Sequence, residues 1–325
     1  MKKATSREKW RVFGLIFPSL FWLIVFFAIP LLIVLAMSFG QRGTYGGVEW
    51  DLTIQNFVRF LSPEDPLYLR IFLRTLYIAL ITTVISFFIG YPLSFWMASQ
   101  PQKRRNTLLL LLMVPFWTNF LVRTYAWILI LRDQGIINTV WTGALHTGLI
   151  GLAQAAPWLP LDGLVNLTAA PLPLFGTDLA IIIGLVYGWL PDMVLPCYAV
   201  VERLDHSLVE AANDLYANRF QAFIRVVFPL TLPGVVAGSI LVFIPSLGAY
   251  VTPDLLGGAK SVMIGNVIYS QFMSARDYPF GAAISMVLMA IMLIGTLIYF
   301  RSSAEVEGEV QTAVEAEGVI HEPAA

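Results

Sequence analysis

Cysteine is all but missing from this chain of 325 residues: Cys197 stands alone, so no disulfide can close within it. Placed inside an apolar run, Cys197 reads as a small packing residue. Histidine is nearly as scarce. His146, His206 and His321 lie far apart with no metal-ligand spacing, and no triad pattern accompanies them, so no metal site and no catalytic residue are expected. Charge is short as well: 13% of residues are charged, 58% are hydrophobic, and the net charge is −1. A water-facing globule of this size does not show that balance, and there is no basic stripe for a nucleic acid. Also lacking is the Gly-x4-Gly-Lys-[Ser/Thr] loop that cradles phosphate. Its nearest approach, "GGAKS" at Gly257 to Ser261, has no glycine before Lys260, so this chain is expected to bind no nucleotide or other cofactor.

What is abundant is apolar sequence in long runs. Those at about 12–38, 73–98, 108–131, 179–201, 234–252 and 282–300 each reach the ~20 residues that span hydrocarbon at ~1.5 Å per residue. They predict an all-α integral membrane protein with six transmembrane helices over 12–300. The first run follows Lys2, Lys3, Arg7, Lys9 and Arg11, as a signal peptide's would. It far exceeds the ~7–15 apolar residues of such a leader, and no small-residue cleavage site follows, so it is read as an uncleaved span after a short segment, 1–11.

Basic residues set the orientation. With the N-terminus inside, the short inner segments hold Lys103, Arg104, Arg105, Arg203, Arg219, Arg225 and Arg301 besides the N-terminal cluster. The longer outer loops hold Arg42, Arg59, Arg70, Arg132, Lys260 and Arg276. Both termini are therefore expected in the cytoplasm. The acidic tail, 301–325, has no sustained apolar stripe and is expected to be disordered or a frayed helix.

Outer loop one, about 39–72, has enough aromatic and aliphatic residues to pack as an ordered cap, with a plain surface loop as the equal alternative. Outer loop three, 132–178, is apolar but divided by Pro157, Pro160, Pro171 and Pro173. A re-entrant or interfacial segment, a lid and a packing insertion all remain open for it. Gly184 and Gly188 in the fourth run, and Gly234 and Gly238 in the fifth, are small-xxx-small patterns that suggest close contact between those spans.

The polar loop 202–233 has its own logic. Ser207 with Glu210 matches a capping box, and Leu208, Ala211, Ala212 and Leu215 then share one helical face. A second start at Asn218 and Gln221 precedes Phe220, Phe223, Ile224 and Val227, with Pro229 and Pro233 closing the unit. Periodicity alone leaves two uses open, a docking elbow for a partner and a hairpin lying among lipid headgroups.

"EAANDLY" at Glu210 to Tyr216, followed by "VVFP" ending at Pro229, resembles the EAA loop of permease subunits of binding-protein-dependent ABC importers. Glu210, Ala211, Ala212 and Pro229 match that motif, while Tyr216 stands where the family has glycine, a backbone position suited to the left-handed region. "VPFWTNFLVRTYAW", "IIGLVYGWLPDMVLPCY", "LTLPGVVAGSILVFIPSLGAY" and "RDYPFGAAIS" are similar to the B-type permeases of spermidine/putrescine importers. The resemblance implies the type I ABC importer permease fold in a bacterial inner membrane. It also implies a second homologous permease, a cytoplasmic ATPase dimer carrying ATP and magnesium, an extracytoplasmic polyamine-binding protein, and Glu210, Ala211, Ala212, Tyr216 and Pro229 as ATPase-coupling residues.

A path for polyamines needs carboxylates and aromatic faces. Asp192, between Pro191 and Pro196 in the fourth run, is the sharpest candidate, with Asp254, Trp117, Tyr125 and Tyr250 beside it. Local structure at Asp192, and interfacial anchoring of the others, are the alternatives. Arg123 lies at a depth similar to Asp254, so a structural Arg123–Asp254 pair is expected. Another small solute, or a stand-alone secondary carrier, are the rival functions. A carrier would show inverted repeats and midplane ion ligands, and neither is visible.

Overall fold

The computed structural model describes residues 16–44, 46–63, 66–155, 162–258 and 261–297. Segment 1–11, the start of the first apolar run, the end of the last and the tail 301–325 lie outside the described residues. Among those described, six helical stretches are long and apolar enough to cross a membrane. They are Ile16–Ser38, Leu67–Ala98, Phe120–Ala155, Asp178–Val201, Arg219–Leu247 and Tyr278–Leu297, here called the first to sixth spans; the third is broken by a turn at 132–135, and below its name refers to the Phe120–Leu131 part alone. The chain divides into two compact units, 1–69 with 267–293 and 70–266 with 294–325.

In the first unit, outer loop one is an ordered cap. A short antiparallel ladder pairs Gln41 with Glu49 and Arg42 with Val48, and a helix, Gln55–Leu61, follows it. Asn56 donates to the carbonyls of Ser38 and Gly40 at 3.0 and 2.8 Å, which fixes that helix against the end of the first span. Arg59 pairs with the buried Asp277 at 3.0 Å and lies 4.1 Å over the Phe280 ring. Asp277 also accepts from the Phe280 amide at 3.3 Å and so caps the sixth span.

The core of the second unit joins the second, fourth and fifth spans. Met193 and Cys197 of the fourth are fully buried against Tyr91, Val235 and Val242. Three glycines make room for this contact. A methyl on Gly90 would come 2.9 Å from Met193 Cγ, one on Gly234 2.7 Å from the Pro196 carbonyl, and one on Gly238 2.9 Å from the Met193 carbonyl. Gly184 and Gly188, expected in the same seam, lie elsewhere: Gly184 abuts Thr252 and Leu256, and Gly188 borders a cavity. The Tyr91 and Thr231 hydroxyls meet at 2.7 Å inside the core, and Arg74 ion-pairs with Asp178 at the head of the fourth span.

The run 108–131, expected as one span, is two helices, Gln102–Trp117 and Phe120–Leu131. Their junction has a local cause. Pro115 contributes no amide to the ladder, the Thr118 hydroxyl turns back to the Pro115 carbonyl at 2.6 Å, and Asn119 starts a new helix by accepting from Leu121 N at 2.9 Å. The fifth span also differs from its expected 234–252, for it begins at Arg219 and ends at Leu247. Pro229 and Pro233 lie within it instead of closing a separate unit. A π-turn, Phe223–Val227, precedes Pro229, with the Phe228 amide reaching back to Phe223. The wider turn gives room where the proline ring would otherwise press on a carbonyl one turn earlier. The first span uses the same device at Ile24–Ala28, ahead of Pro30.

Outer loop three contains helix along Ile136–Ala155 and again at Asp162–Thr168, after a turn at 132–135. The buried Asn138 closes its base, donating to the carbonyls of Arg132 (3.2 Å) and Leu172 (3.0 Å) and accepting from the Leu172 amide (2.8 Å).

Candidate functional site

The loop 202–233 folds as a helix, a tight turn and the entry to the fifth span. The helix is His206–Asp214, and its cap is Asp205, whose carboxylate accepts from Ser207 N at 2.9 Å. Ser207, expected as the cap, lies inside the first turn, because Asp205, two residues earlier, competes for the same free amides. Glu210 and Ala211 are exposed and Ala212 is half-buried. The apolar positions Leu208 and Leu215 are exposed too, so this chain alone leaves that helical face uncovered.

The turn is made by Tyr216. Its φ is 61°, in the left-handed region, and its side chain is 98% exposed. Tyr216 N bonds the Asn213 carbonyl at 3.0 Å and Ala217 N bonds Ala212 at 3.1 Å, the paired bonds of a Schellman ending. A residue with a Cβ therefore adopts the backbone form that glycine takes freely, at roughly 1–2 kcal/mol. Two residues on, Asn218 and Gln221 form a reciprocal capping box at 2.8 and 3.0 Å, and the helix that starts there continues to Leu247. Arg105, after the second span, pairs with Glu202 at 2.9 Å and ties the base of the loop to the neighbouring connection.

Above this, within the same unit, lies a cavity of about 370 Å³ whose wall includes Phe120, Arg123, Gly188, Trp189, Pro245 and Tyr250. A second, of about 300 Å³, surrounds Arg123 from the side of Thr118, Trp127 and Tyr187. Arg123 thus stands between the two. Its guanidinium donates to the Pro115 carbonyl at 3.0 Å, within 6 Å of the Phe120 and Tyr187 ring centres. The expected Arg123–Asp254 pair is not formed among the described residues. Arg123 instead serves a carbonyl that the break at Thr118 deprives of a helical amide.

The remaining candidates are dispersed. Tyr250 reaches the larger cavity, while Asp254, Tyr125 and Trp117, the last 73% exposed, line neither. Asp192 also lines neither. Its Oδ2 is buried without a hydrogen-bond partner. Phe120 and Trp189 are the aromatic walls that the site selection missed. Phe120 becomes visible once Asn119 is taken as a helix start, since it then opens a new first turn.

Over residues 90–306 the chain matches the family described as binding-protein-dependent transport system inner membrane component. It is 42% identical over 284 residues to the spermidine/putrescine transport system permease protein PotB of Salmonella typhimurium (strain SL1344), covering 87% of this chain and 90% of that one. PotB of Escherichia coli K12 is 40% identical over 292 residues, covering 89% and 97%. Among solved structures, a bacterial alginate ABC transporter in complex with an alginate pentasaccharide-bound periplasmic protein aligns with a TM-score of 0.64 at 16% identity. That alignment covers 92% of this chain and 96% of the other, a likeness of fold alone.

Proposed function

Because the chain belongs to the binding-protein-dependent transport system inner membrane components, we propose that it is a permease subunit of an ATP-driven polyamine importer, forming half of the translocation path. The observation that carries this reading is the near full-length identity with spermidine/putrescine permeases, 42% over 87% of the chain. The protein is a multi-pass subunit of the bacterial inner membrane with both termini in the cytoplasm. It pairs with a second homologous permease, receives solute from an extracytoplasmic polyamine-binding protein, and draws on a cytoplasmic ATPase dimer. It hydrolyses nothing itself and binds no cofactor; ATP and magnesium belong to the ATPase.

Its own part in the cycle is mechanical. The helix carrying Glu210, Ala211 and Ala212 seats on the ATPase through the apolar face that this chain leaves open. Tyr216 fixes the angle at which the helix meets the fifth span. Pro229 lies within that span, past the π-turn, so displacement of the seated helix passes into a membrane helix without an intervening hinge. The fourth span follows because Gly234 and Gly238 lock the two together.

Trp189, Tyr250 and Phe120 offer ring faces to an ammonium group at the cavity, and Asp192 supplies negative charge nearby. Arg123 on the cavity wall favours a second reading of the cargo, a small solute bearing an anionic group. Reconstitution of the permease pair with ATPase and binding protein tests the proposal. Polyamine-loaded binding protein should raise ATP hydrolysis, and uptake should require all components. Solute uptake by this chain alone would overturn it. Glu210→Ala should reduce ATPase attachment while membrane insertion is unchanged.

A further inference from the structure

Between Asp133 and Asp178 the sequence has a single formally charged side chain, Asp162. A loop of this length exposed to water would not be so bare of charge. Nor is the segment packed away: Ile136, Val140, Leu145 and Leu152 are exposed along Ile136–Ala155, as are Leu164 and Leu167 on the helix Asp162–Thr168. The other open positions of the first stretch include Ala144, Gly148, Gly151 and Ala155. Its free side thus carries no formal charge: the polar positions on it are the uncharged Thr139, Thr147 and Gln154, set among apolar and small residues.

Two contacts set where this hairpin sits. Asn138 bonds both Arg132, at the end of the third span's Phe120–Leu131 helix, and Leu172, shortly before the fourth span. The excursion therefore leaves and returns at one point, at the end of two membrane helices. His146 Nδ1 and Thr168 Oγ1 lie 3.0 Å apart, holding the short second helix against the middle of the first. Asn138, Thr142, His146 and Thr168 thus bond within the hairpin, and its exposed apolar residues follow directly on the apolar helix Phe120–Leu131.

We propose that this helical hairpin is a lipid-embedded foot: it lies at the headgroup–acyl boundary of the leaflet where the third span ends, which on the proposed orientation is the outer one. Its occupant is the bilayer itself. A binding protein that docks and leaves needs a face that tolerates water between visits, with charged or polar groups at the rim. This surface has no charge on its long helix, and its polar groups there are only Thr139, Thr147 and Gln154. Helices that bind membranes through charge carry a basic face, also lacking here, so attachment should depend on apolar contact and not on anionic lipid.

The test uses the assembled transporter in phosphatidylcholine vesicles. In a Cys197→Ala background, single cysteines at Val140 and Leu152 are labelled with bimane. Quenching by lipid carrying a spin label high on its acyl chain is then compared with quenching by aqueous iodide. Lipid quenching at least threefold stronger than iodide quenching at both positions, unchanged when phosphatidylglycerol is added, is the expected result. Dominant iodide quenching, meaning a water-facing lid, or protection from both, meaning a protein-covered face, overturns the proposal. Should the cysteine variants fail to assemble, lipid-attached carbene labelling of the unmodified complex gives the same decision. Peptides within 136–155 should be labelled as strongly as those of the first span, and their absence from the labelled set overturns the foot.

Discussion

Replacing Gly234 by alanine puts the smallest possible side chain into a close backbone contact between the fourth and fifth spans. The added methyl would lie 2.7 Å from the Pro196 carbonyl and 2.9 Å from Val200 Cγ2, short by about 0.7 Å of the 3.4 Å at which ordinary contact begins. The carbonyl belongs to the backbone of the fourth span, so it cannot rotate away as a flexible side-chain tip would. The helices must part, loosening the contacts that bury Met193 and Cys197. Overpacking of this kind costs about 1–3 kcal/mol, equivalent to a ~5- to 150-fold change in an equilibrium constant. Gly148→Ala is the matched control, because its methyl meets nothing within 4 Å. With glycine removed from a helix interior, the control should gain about 0.5–1 kcal/mol. Unfolding of the purified complex in mixed micelles with rising SDS, followed by tryptophan fluorescence, should therefore move to lower SDS for Gly234→Ala and slightly higher for Gly148→Ala. Coincident midpoints would refute the close-packed seam.

Tyr216→Gly should relieve about 1–2 kcal/mol of left-handed strain, seen as slower amide exchange across His206–Asp214, whereas Tyr216→Ala should not; equal slowing by both would contradict the strain. A double-mutant cycle on Arg105 and Glu202, two partly shielded side chains, should give a coupling of up to ~1 kcal/mol that shrinks as salt rises. A salt-independent coupling would mean that the pair acts through packing. Asp192→Leu removes a buried oxygen that lacks a partner and should raise resistance to SDS. If Asp192 also serves the path, the same variant loses polyamine uptake, and a variant that is less stable would show that the carboxylate has a bond within the assembled transporter.

The apolar runs were readable because lipid demands length and hydrophobicity, quantities that a sequence carries directly. What escaped were places where local chemistry overrides a run. The break at Thr118 hides inside an unbroken apolar stretch, since Pro115 and Asn119 act through the backbone and leave hydrophobicity unchanged. Pro229 read as a stop because a proline ends an ordinary helix, and a π-turn ahead of it is not written in the residue types. Asp205 took the capping place assigned to Ser207, one of two adequate caps two residues apart. At the candidate path the misses have another cause. Which face of a helix turns to which neighbour is set by three-dimensional packing, so equal depth suggested Arg123 with Asp254, while the structure gives Arg123 the Pro115 carbonyl. Gly234 and Gly238 were placed in the right seam, but their counterpart is Gly90 on the second span.

The helix from Arg219 to Leu247 is pinned part-way along by its two seam glycines, about 25 Å from one end and about 17 Å from the other at ~1.5 Å per residue. A stiff rod held at such a pivot behaves as a seesaw: a sideways push of ~3 Å on the Arg219 end would swing the Leu247 end by roughly 2 Å in the opposite sense. The ends would then open and close in antiphase, a reciprocity set by where two glycines fall along one helix.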